Sequence, residues 1–181
     1  MVAAKIRAEH AGQNTKIPIP SKLIHAIIAA EDRRFWRHRG VDFLSIIRAV
    51  WRYLQRGTIS GASTIEQQLV RTLRQRYELS LSRKLSEMYI ATAISRQFEK
   101  MVLAEVYCRV AYLGWQARGV EQAARRLGVN LTSLSDKEAA TIAAMLKLPM
   151  PKYPSARYRT RLGERVDYVL RWMKSREAKN D

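Results

Sequence analysis

Apolar residues recur at helical spacing along almost the whole chain. In the segment 21–35, for example, Leu23, Ile24, Ile27 and Ile28 fall on one face of an α-helix. Proline and glycine, which interrupt helices, number only 5 and 8. No segment has a strong strand pattern, and no repeat or linker divides the 181 residues. The sequence therefore predicts a single all-α domain.

Capping signals place the helix boundaries. Ser21 and Asp42 can cap the helices that follow them, while Ser63 and Ser135 each begin a capping box that closes with a glutamate three residues later. Eight helices are predicted. The third begins at residue 63 and ends at a break around residues 77–82, and the others cover residues 21–35, 43–55, 81–97, 100–113, 120–127, 135–146 and 158–175. The sequence predicts a flexible N-terminal segment, a folded domain and a tail, which are residues 1–18, 19–177 and 178–181.

Positive charge dominates the composition. Lysine and arginine number 33 against 16 acidic residues, which gives a formal net charge of +17. Such an excess favours a polyanionic partner, and nucleic acid, an anionic membrane surface and a phosphate-bearing substrate all fit. The sequence has neither a membrane span of the ~20 apolar residues required nor a secretory signal. One cysteine and three scattered histidines offer no zinc-type cluster.

Glu31 is the first candidate for chemistry. It lies near the end of an apolar predicted helix, beside Phe35 and Trp36. A carboxylate at the edge of an apolar, aromatic region is partly desolvated, which raises its pKa and suits a general base or acid. An ordinary solvated helix end explains the same pattern, so both interpretations stay open on this evidence alone.

Glu87 is the second candidate. It follows Arg83 and Lys84 by four and three residues, so both cations can neighbour it on one helical face. The segment 71–84 holds five basic residues and a single acid, and such a cluster could bind a diphosphate through charge-assisted hydrogen bonds. The helix start at Ser63 is a further candidate anion site. A surface ion pair and a solvated or nucleic-acid-binding basic face remain open as alternatives.

The order of these segments resembles the peptidoglycan glycosyltransferases, the transglycosylase domains of class A penicillin-binding proteins and of monofunctional enzymes. Residues 31–40 are similar to the first family motif, E-D-x-x-F-x-x-H-x-G. Residues 61–71 are similar to the second, G-x-S-T-I-x-Q-Q-L-x-K, with Arg71 in place of lysine. Residues 83–87 match the third, R-K-x-x-E, and residues 100–124 and 138–154 resemble the fourth and fifth. Five motifs in this order indicate the family specifically.

The resemblance, which covers residues 17–173, implies an enzyme that polymerises lipid II, a disaccharide-pentapeptide on undecaprenyl diphosphate. In that reaction the 4-hydroxyl of the acceptor GlcNAc attacks C1 of the donor MurNAc, and the lipid diphosphate leaves with inversion to a β-1,4 linkage. By resemblance Glu31 is the base and Glu87 the second essential carboxylate. Direct displacement needs no enzyme nucleophile, which agrees with the lack of a Ser–His or Cys–His arrangement in the sequence.

The resemblance also implies a set of substrate-binding residues. They are Asp32, Phe35 and His38 in the first motif, Ser63, Thr64, Gln67, Gln68 and Arg71 in the second, and Arg83 and Lys84 in the third. The first three support their motif, the two hydroxyls contact the donor, and the amides and cations bind the leaving diphosphate, whose developing charge they would stabilise. Mg²⁺ or Mn²⁺ could assist through Glu87, although the sequence offers no dedicated metal cage.

The fold implied by the resemblance is lysozyme-like, with a larger head lobe and a small jaw that faces the membrane. The segment 43–55 would belong to the jaw, where Trp51 and Tyr53 beside arginines suit a bilayer interface. Burial of these aromatics in the core stays open as the alternative. The implied location is the outer face of the bacterial cytoplasmic membrane, with the anchor not present in this chain. Implied partners are lipid II, the growing glycan strand and cell-wall synthesis proteins, and no nucleic acid.

Departures from the family pattern concentrate in the fourth motif. Its usual Y-L-N is here Tyr107-Cys108-Arg109. A degenerate homologue that binds the lipid-linked precursor without turnover is therefore one alternative function. A basic helical nucleic-acid binder is the other, although two glutamates and two adjacent glutamines have no evident role in such a protein.

Overall fold

The computed structural model describes residues 1–12, 17–57 and 61–177. Within them the chain forms nine α-helices and one antiparallel pair of short strands. The elements are α1 (Val2–Ala11), α2 (Ser21–Glu31), α3 (Phe43–Arg56), α4 (Ile65–Arg74), α5 (Leu81–Gln97), α6 (Lys100–Val110), β1 (Tyr112–Gly114), β2 (Ala117–Arg118), α7 (Val120–Leu127), α8 (Asp136–Met145) and α9 (Ala156–Glu177). The predicted all-α, lysozyme-like fold class is confirmed.

Helix α2 occupies the centre of the core. Seven of its eleven residues are buried, and it packs against α8 and α9, which also pack against each other. Helix α4 forms a second layer with α5 and α6. Because α2 is apolar and buried almost to its last residue, Glu31 is brought to the end of a hydrophobic helix, where water has little access.

Helix α3 stands apart from this core. Asp42 caps it by accepting a hydrogen bond from the backbone N–H of Ser45 at 3.2 Å, and Gly57 ends it in the left-handed conformation. None of its fourteen residues is buried. Its exposed apolar and aromatic side chains are Phe43, Leu44, Ile47, Val50, Trp51, Tyr53 and Leu54. The alternative that the aromatics of this segment lie in the core is therefore wrong, and α3 has the character expected of the predicted jaw.

The N-terminal segment is where the sequence prediction was wrong. Residues 2–11 form the regular helix α1 instead of a flexible segment. Val2 and Ile6 lie one helical turn apart and are buried in the same core as α2, and α1 packs against α6 and α4. Two apolar residues make too weak a pattern to be recognised in sequence. Residues 13–16, and the predicted tail at 178–181, lie outside the described residues.

Several helix ends also differ from the predictions. Pro20, and not Ser21, is the N-cap of α2, and Thr64, and not Ser63, caps α4 by accepting the backbone N–H of Gln67. Helix α2, predicted to reach residue 35, ends at Glu31, and Phe35–Arg37 form a 3₁₀ turn. Helix α6, predicted to reach residue 113, ends at Val110, and the segment 111–118 contains the strand pair. The Asp42 cap, the Ser135 capping box and the bounds of α5 and α7 are as predicted.

Among the described residues, no helix combines the length and the apolarity that crossing a bilayer requires.

Candidate active site

Glu31 projects from the end of α2 into a nearly enclosed environment. Its side chain is 11% exposed. Gln68 of α4 donates its amide N–H to the Oε2 atom of Glu31 at 3.0 Å. Arg165 of α9 places its Nη2 atom 3.6 Å from Oε1 and donates to the carbonyl of Ala30 at 2.7 Å. The Oε1 atom accepts no hydrogen bond from the described residues.

Burial sets the acid strength of Glu31. Removal of the carboxylate from water raises its pKa above the ordinary value, and the hydrogen bond from Gln68 and the charge of Arg165 lower it by less than burial raises it. A carboxylate with a raised pKa accepts a proton more readily than an exposed one. Glu31 therefore has the basicity that suits a general base.

A buried tyrosine fixes the orientation of Gln68. Tyr107 of α6 donates its hydroxyl proton to the Oε1 atom of Gln68 at 2.8 Å, so the amide must point its N–H group at Glu31. Burial raises the pKa of Tyr107 well above its ordinary value, which keeps the hydroxyl protonated as a donor. Tyr107 and Arg165 were not among the predicted site residues. The only sequence signal was that Tyr107 belongs to the fourth motif.

Glu87 lies in the opposite electrostatic environment. Its buried carboxylate accepts hydrogen bonds from Arg71 at 3.0 and 3.1 Å, from Arg83 at 2.5 Å and from Lys84 at 2.7 Å. Burial alone raises the pKa of Glu87, but hydrogen bonds from Arg71 and Lys84 outweigh it and the pKa is lowered. Glu87 is therefore a fixed anion that gathers three cations at one point.

Helix α4 connects the two acids. Gln68 contacts Glu31, while Gln67 accepts a hydrogen bond from Lys84 at 2.5 Å. Lys84 also donates to the hydroxyl of Ser63 at 3.0 Å. The structure thus brings the second and third motifs together around the basic cluster, as the sequence indicated.

The remaining first-motif residues support the backbone around Glu31. Asp32 accepts the Nε2–H of His38 at 3.0 and 3.1 Å and the backbone N–H of Ile65 at 3.1 Å, which ties the end of α2 to the start of α4. Thr64 donates its hydroxyl to the carbonyl of Gly40 at 2.6 Å. Phe35 is fully buried in the core. These contacts give Asp32, Phe35, His38 and Thr64 structural partners within the protein.

A cavity of about 310 Å³ opens beside Glu31. Ser63 and Thr64 line it, as do residues that the sequence analysis did not assign to the site. These additional residues include Arg33, Arg34, Arg48 and Arg52 on the basic side and Trp172 on α9. The four-residue spacing of Arg48 and Arg52 is visible in the sequence, but by itself it indicates only the arginine-bearing side of a membrane-facing helix.

The metal-binding potential of the site is limited by its own cations. Every oxygen of Glu87 already has a cationic partner, so the predicted role of Glu87 as a metal ligand does not fit this arrangement. Asp32, His38 and Glu66 offer ligand atoms within 4.8 Å of one another and could hold a metal ion. The ammonium of Lys100 is bonded to Glu66 at that point, so a metal would have to displace it.

The unusual fourth motif is accommodated within the protein. Arg109 forms an ion pair with Glu121 at 2.6 Å and donates to the carbonyl of Ile17 at 3.1 Å. Cys108 is fully buried, and burial raises the pKa of its thiol to about 12, so the thiol is unreactive. Neither residue lines the cavity beside Glu31.

A helical domain with a raised-pKa glutamate beside a basic cavity, and with a second glutamate bound by three cations, is a candidate glycosyl-transfer enzyme. The sequence matches the transglycosylase family over residues 2–174, and the chain belongs to that family. The predicted family and its enzyme class, peptidoglycan glycosyltransferase, are confirmed.

Named relatives agree with this assignment. The chain is 39% identical over 160 residues to penicillin-binding protein 1A of Rickettsia typhi. That alignment covers 86% of this chain and 20% of the relative. It is 40% identical over 157 residues to penicillin-binding protein 1A of Aquifex aeolicus. That alignment covers 86% of this chain and 22% of the relative. It is 39% identical over 157 residues to penicillin-binding protein 1A of Pseudomonas aeruginosa. That alignment covers 86% of this chain and 19% of the relative. The chain thus spans about a fifth of the length of these relatives.

Proposed function

We propose that this domain polymerises lipid II into β-1,4 glycan strands by inverting displacement of undecaprenyl diphosphate. The observation that carries the proposal is the contrast between its two glutamates. Glu31 has a raised pKa and lines a cavity, whereas Glu87 has a lowered pKa and three bound cations. Two acids whose environments separate their pKa values commonly divide a reaction into a proton-transfer role and an electrostatic role.

Glu31 takes the proton in this mechanism. As the acceptor 4-hydroxyl forms its bond to C1 of the donor, the hydroxyl proton passes to the carboxylate of Glu31, which lines the cavity. The hydrogen bond from Gln68 holds Oε2. The C1–oxygen bond to the diphosphate breaks as the new bond forms, and its electron pair leaves with the diphosphate.

The basic cluster stabilises the leaving diphosphate. Arg71 and Lys84 are each about one-third exposed and can reach a phosphate from their positions on Glu87. Arg83 is more deeply buried and holds Glu87 in place. Fixed cations aimed at a leaving group stabilise its charge most strongly in the transition state, which is why removal of Arg71 or Lys84 should lower kcat.

The acceptor lipid II carries a diphosphate of its own and therefore needs a second basic region. The cavity beside Glu31 supplies one, since Arg48 and Arg52 line it from α3. We assign these two arginines to the acceptor diphosphate. The apolar side chains exposed on α3 face the bilayer that holds both lipid tails. This arrangement suits the outer face of the cytoplasmic membrane, where lipid-linked sugars are polymerised.

The proposal is tested by incubating the protein with labelled lipid II, with and without a divalent metal ion, and separating the products by size. Wild-type protein should form polymer, and Glu31→Gln should lower the rate at least ~100-fold because the general base is lost. Binding of lipid II without polymer would support the degenerate homologue instead. Full activity of Glu31→Gln, or tight salt-sensitive binding to duplex DNA without polymer, would contradict the proposal.

A further inference from the structure

Helix α9 carries a line of side chains past Glu31. Arg165, Tyr168 and Trp172 are three and four residues apart, so they share one face of the helix. The guanidinium of Arg165 lies 4.6 Å from the ring centroid of Tyr168, and the rings of Tyr168 and Trp172 are 6.4 Å apart. Because Arg165 contacts both Glu31 and the carbonyl of Ala30, this face of α9 is anchored to the end of α2.

Trp172 is the outermost member of this line. It lines the same cavity as Glu31, yet its side chain is 36% exposed. The guanidinium of Arg33 lies 4.0 Å from the indole centroid and supports the ring. Because Arg33 covers one face of the indole, the remaining exposed part of the ring is the apolar surface that an entering molecule can contact.

We propose that Trp172 is a stacking platform for the acceptor sugar, the GlcNAc ring whose 4-hydroxyl is deprotonated by Glu31. The inference rests on the proposed function. A pyranose ring with equatorial substituents has C–H groups on its face and hydroxyls around its edge. The face packs on an aromatic ring, while the edge reaches polar groups beside that ring. Trp172 and Glu31 supply those two elements within one cavity.

The rest of the cavity supports this division of roles. Arg48 and Arg52 approach it from α3 and match the charge of a diphosphate, but guanidinium groups do not supply an apolar surface for the face of a sugar ring. The indole supplies the apolar contact that fixes the plane of the ring. A sugar held in one plane presents its 4-hydroxyl to Glu31 reproducibly, which makes Trp172 a substrate-contacting residue of the acceptor site.

Trp115 provides a matched control. It is 40% exposed and also lies beneath cations, with Arg126 at 5.0 Å and Lys152 at 5.3 Å from its ring centroid. It does not line the cavity beside Glu31. Replacing either tryptophan therefore removes a similar partly exposed, cation-supported indole, but only Trp172→Ala removes one from the proposed acceptor site.

The kinetic test measures polymerisation over a range of lipid II concentrations. Trp172→Ala should raise KM roughly tenfold with kcat much less affected, because stacking holds the substrate before and during reaction. Trp172→Phe should retain most of the affinity, and Trp115→Ala should behave like wild type. Thermal denaturation of each variant establishes that it is folded. A folded Trp172→Ala enzyme with unchanged KM would overturn the inference.

The binding test removes turnover by working in Glu31→Gln. Lipid II should produce a saturable change in tryptophan emission that is retained when Trp115→Phe is added and is lost or reduced when Trp172→Phe is added. An emission change that is the same in both double variants would overturn the inference. Because this test needs no product, it separates failure of the platform from failure of the proposed polymerase activity, which shows only as absence of polymer in wild type.

Discussion

At the scale of single residues, the site contains two glutamates whose surroundings shift their pKa values in opposite directions. Glu31 loses its water and gains one neutral amide and one cation at 3.6 Å. Glu87 also loses its water but gains three cations within hydrogen-bond distance. The first environment favours proton acceptance and the second favours a permanent charge, so residue type alone does not determine the role of either acid.

Substitution of Glu31 should separate activity from stability. Its pKa is raised in the folded protein, so folding binds protons and the ionised carboxylate costs stability at pH values above its ordinary pKa. Glu31→Gln should therefore unfold at a higher temperature than wild type at pH 7. The difference should shrink as the pH falls through the raised pKa of Glu31, and it should vanish below the ordinary value of about 4.3, where the glutamate is protonated in both the folded and the unfolded state. A lower unfolding temperature for the variant at pH 7 would contradict this account.

The hydrogen bond from Gln68 to Glu31 should affect the pH dependence of the reaction. The hydrogen bond from Gln68 lowers the pKa of Glu31, so Gln68→Ala should raise that pKa further. Because the base must be ionised, the acidic limb of the kcat/KM profile should move to higher pH. Tyr107→Phe, which frees the same amide from its fixed orientation, should move the limb in the same direction by a smaller amount. An acidic limb that does not move in either variant would exclude Gln68 as a partner of the base.

At the scale of helices, the functional groups come from elements that are distant in sequence. Helix α4 is hydrogen-bonded to α2 through Gln68, which contacts Glu31, and to α5 through Arg71, which contacts Glu87. The contact between Arg71 and Glu87 thus joins two helices as well as forming the basic cluster. An element-level function of Glu87 is to hold α5 against α4.

Removal of the charge on Glu87 should therefore loosen the α4–α5 pair. Glu87→Gln leaves three cations without their common anion and should cost about 3 kcal/mol of unfolding free energy, the usual penalty for breaking a buried ion pair from one side. The pKa of Glu87 is lowered on folding, so the loss should be complete above the ordinary glutamate pKa and should diminish as the pH falls through the lowered value. Denaturant titrations measure this loss.

The matched control for that experiment is Glu78→Gln. Glu78 pairs with Arg76 at the exposed surface, 2.5 Å apart, and an exposed pair contributes little to stability. Equal destabilisation by the two substitutions would show that Glu87 has no special structural role.

The exposed face of α3 should govern bilayer binding without affecting stability. Ile47 and Leu54 are 63% and 73% exposed, so Ile47→Glu and Leu54→Glu remove no core contact. Each should weaken sedimentation with phospholipid vesicles several-fold while the unfolding temperature stays unchanged. Leu79→Glu, at a position that is 98% exposed outside α3, should leave vesicle binding intact. Equal loss of binding in all three variants would argue against α3 as the membrane-contacting helix.

Local signals in the sequence predicted the elements better than they predicted the site. The Asp42 cap and the Ser135 capping box depend on residues three positions apart, so they can be read from sequence. The contact of Glu31 with Arg165 joins residues 134 positions apart, and that of Tyr107 with Gln68 spans 39. Such contacts follow from how α2, α4, α6 and α9 pack, and helical periodicity does not determine packing partners.

At the scale of the whole molecule, the net charge of +17 has two kinds of origin. Part of it is neutralised locally, as in the cluster around Glu87. The remainder produces a long-range positive field that attracts the protein to an anionic surface before any specific contact forms. Charge and the apolar face of α3 should therefore contribute to membrane binding in ways that salt can distinguish.

Binding to vesicles that contain phosphatidylglycerol should weaken steeply as salt is raised from 0.1 M to 1 M, because the screening length falls from about 10 Å to about 3 Å. Binding to phosphatidylcholine vesicles, driven mainly by the apolar face of α3, should change little over the same range. Sedimentation at each salt concentration gives both curves. Identical salt dependence for the two lipids would show that the net charge does not direct the protein to the membrane.

Helix α3 forms one wall of the cavity beside Glu31 although none of its residues is buried in the core. An isolated helix of roughly 12–15 residues is marginally stable in water, and α3 has fourteen residues with none in the core. Two of the arginines that line the cavity beside Glu31 belong to this helix. Under the proposed function, the bilayer therefore acts as a folding partner for one wall of the active site. The enzyme would be fully assembled only where its lipid-linked substrate is present, so the membrane would couple catalytic competence to location.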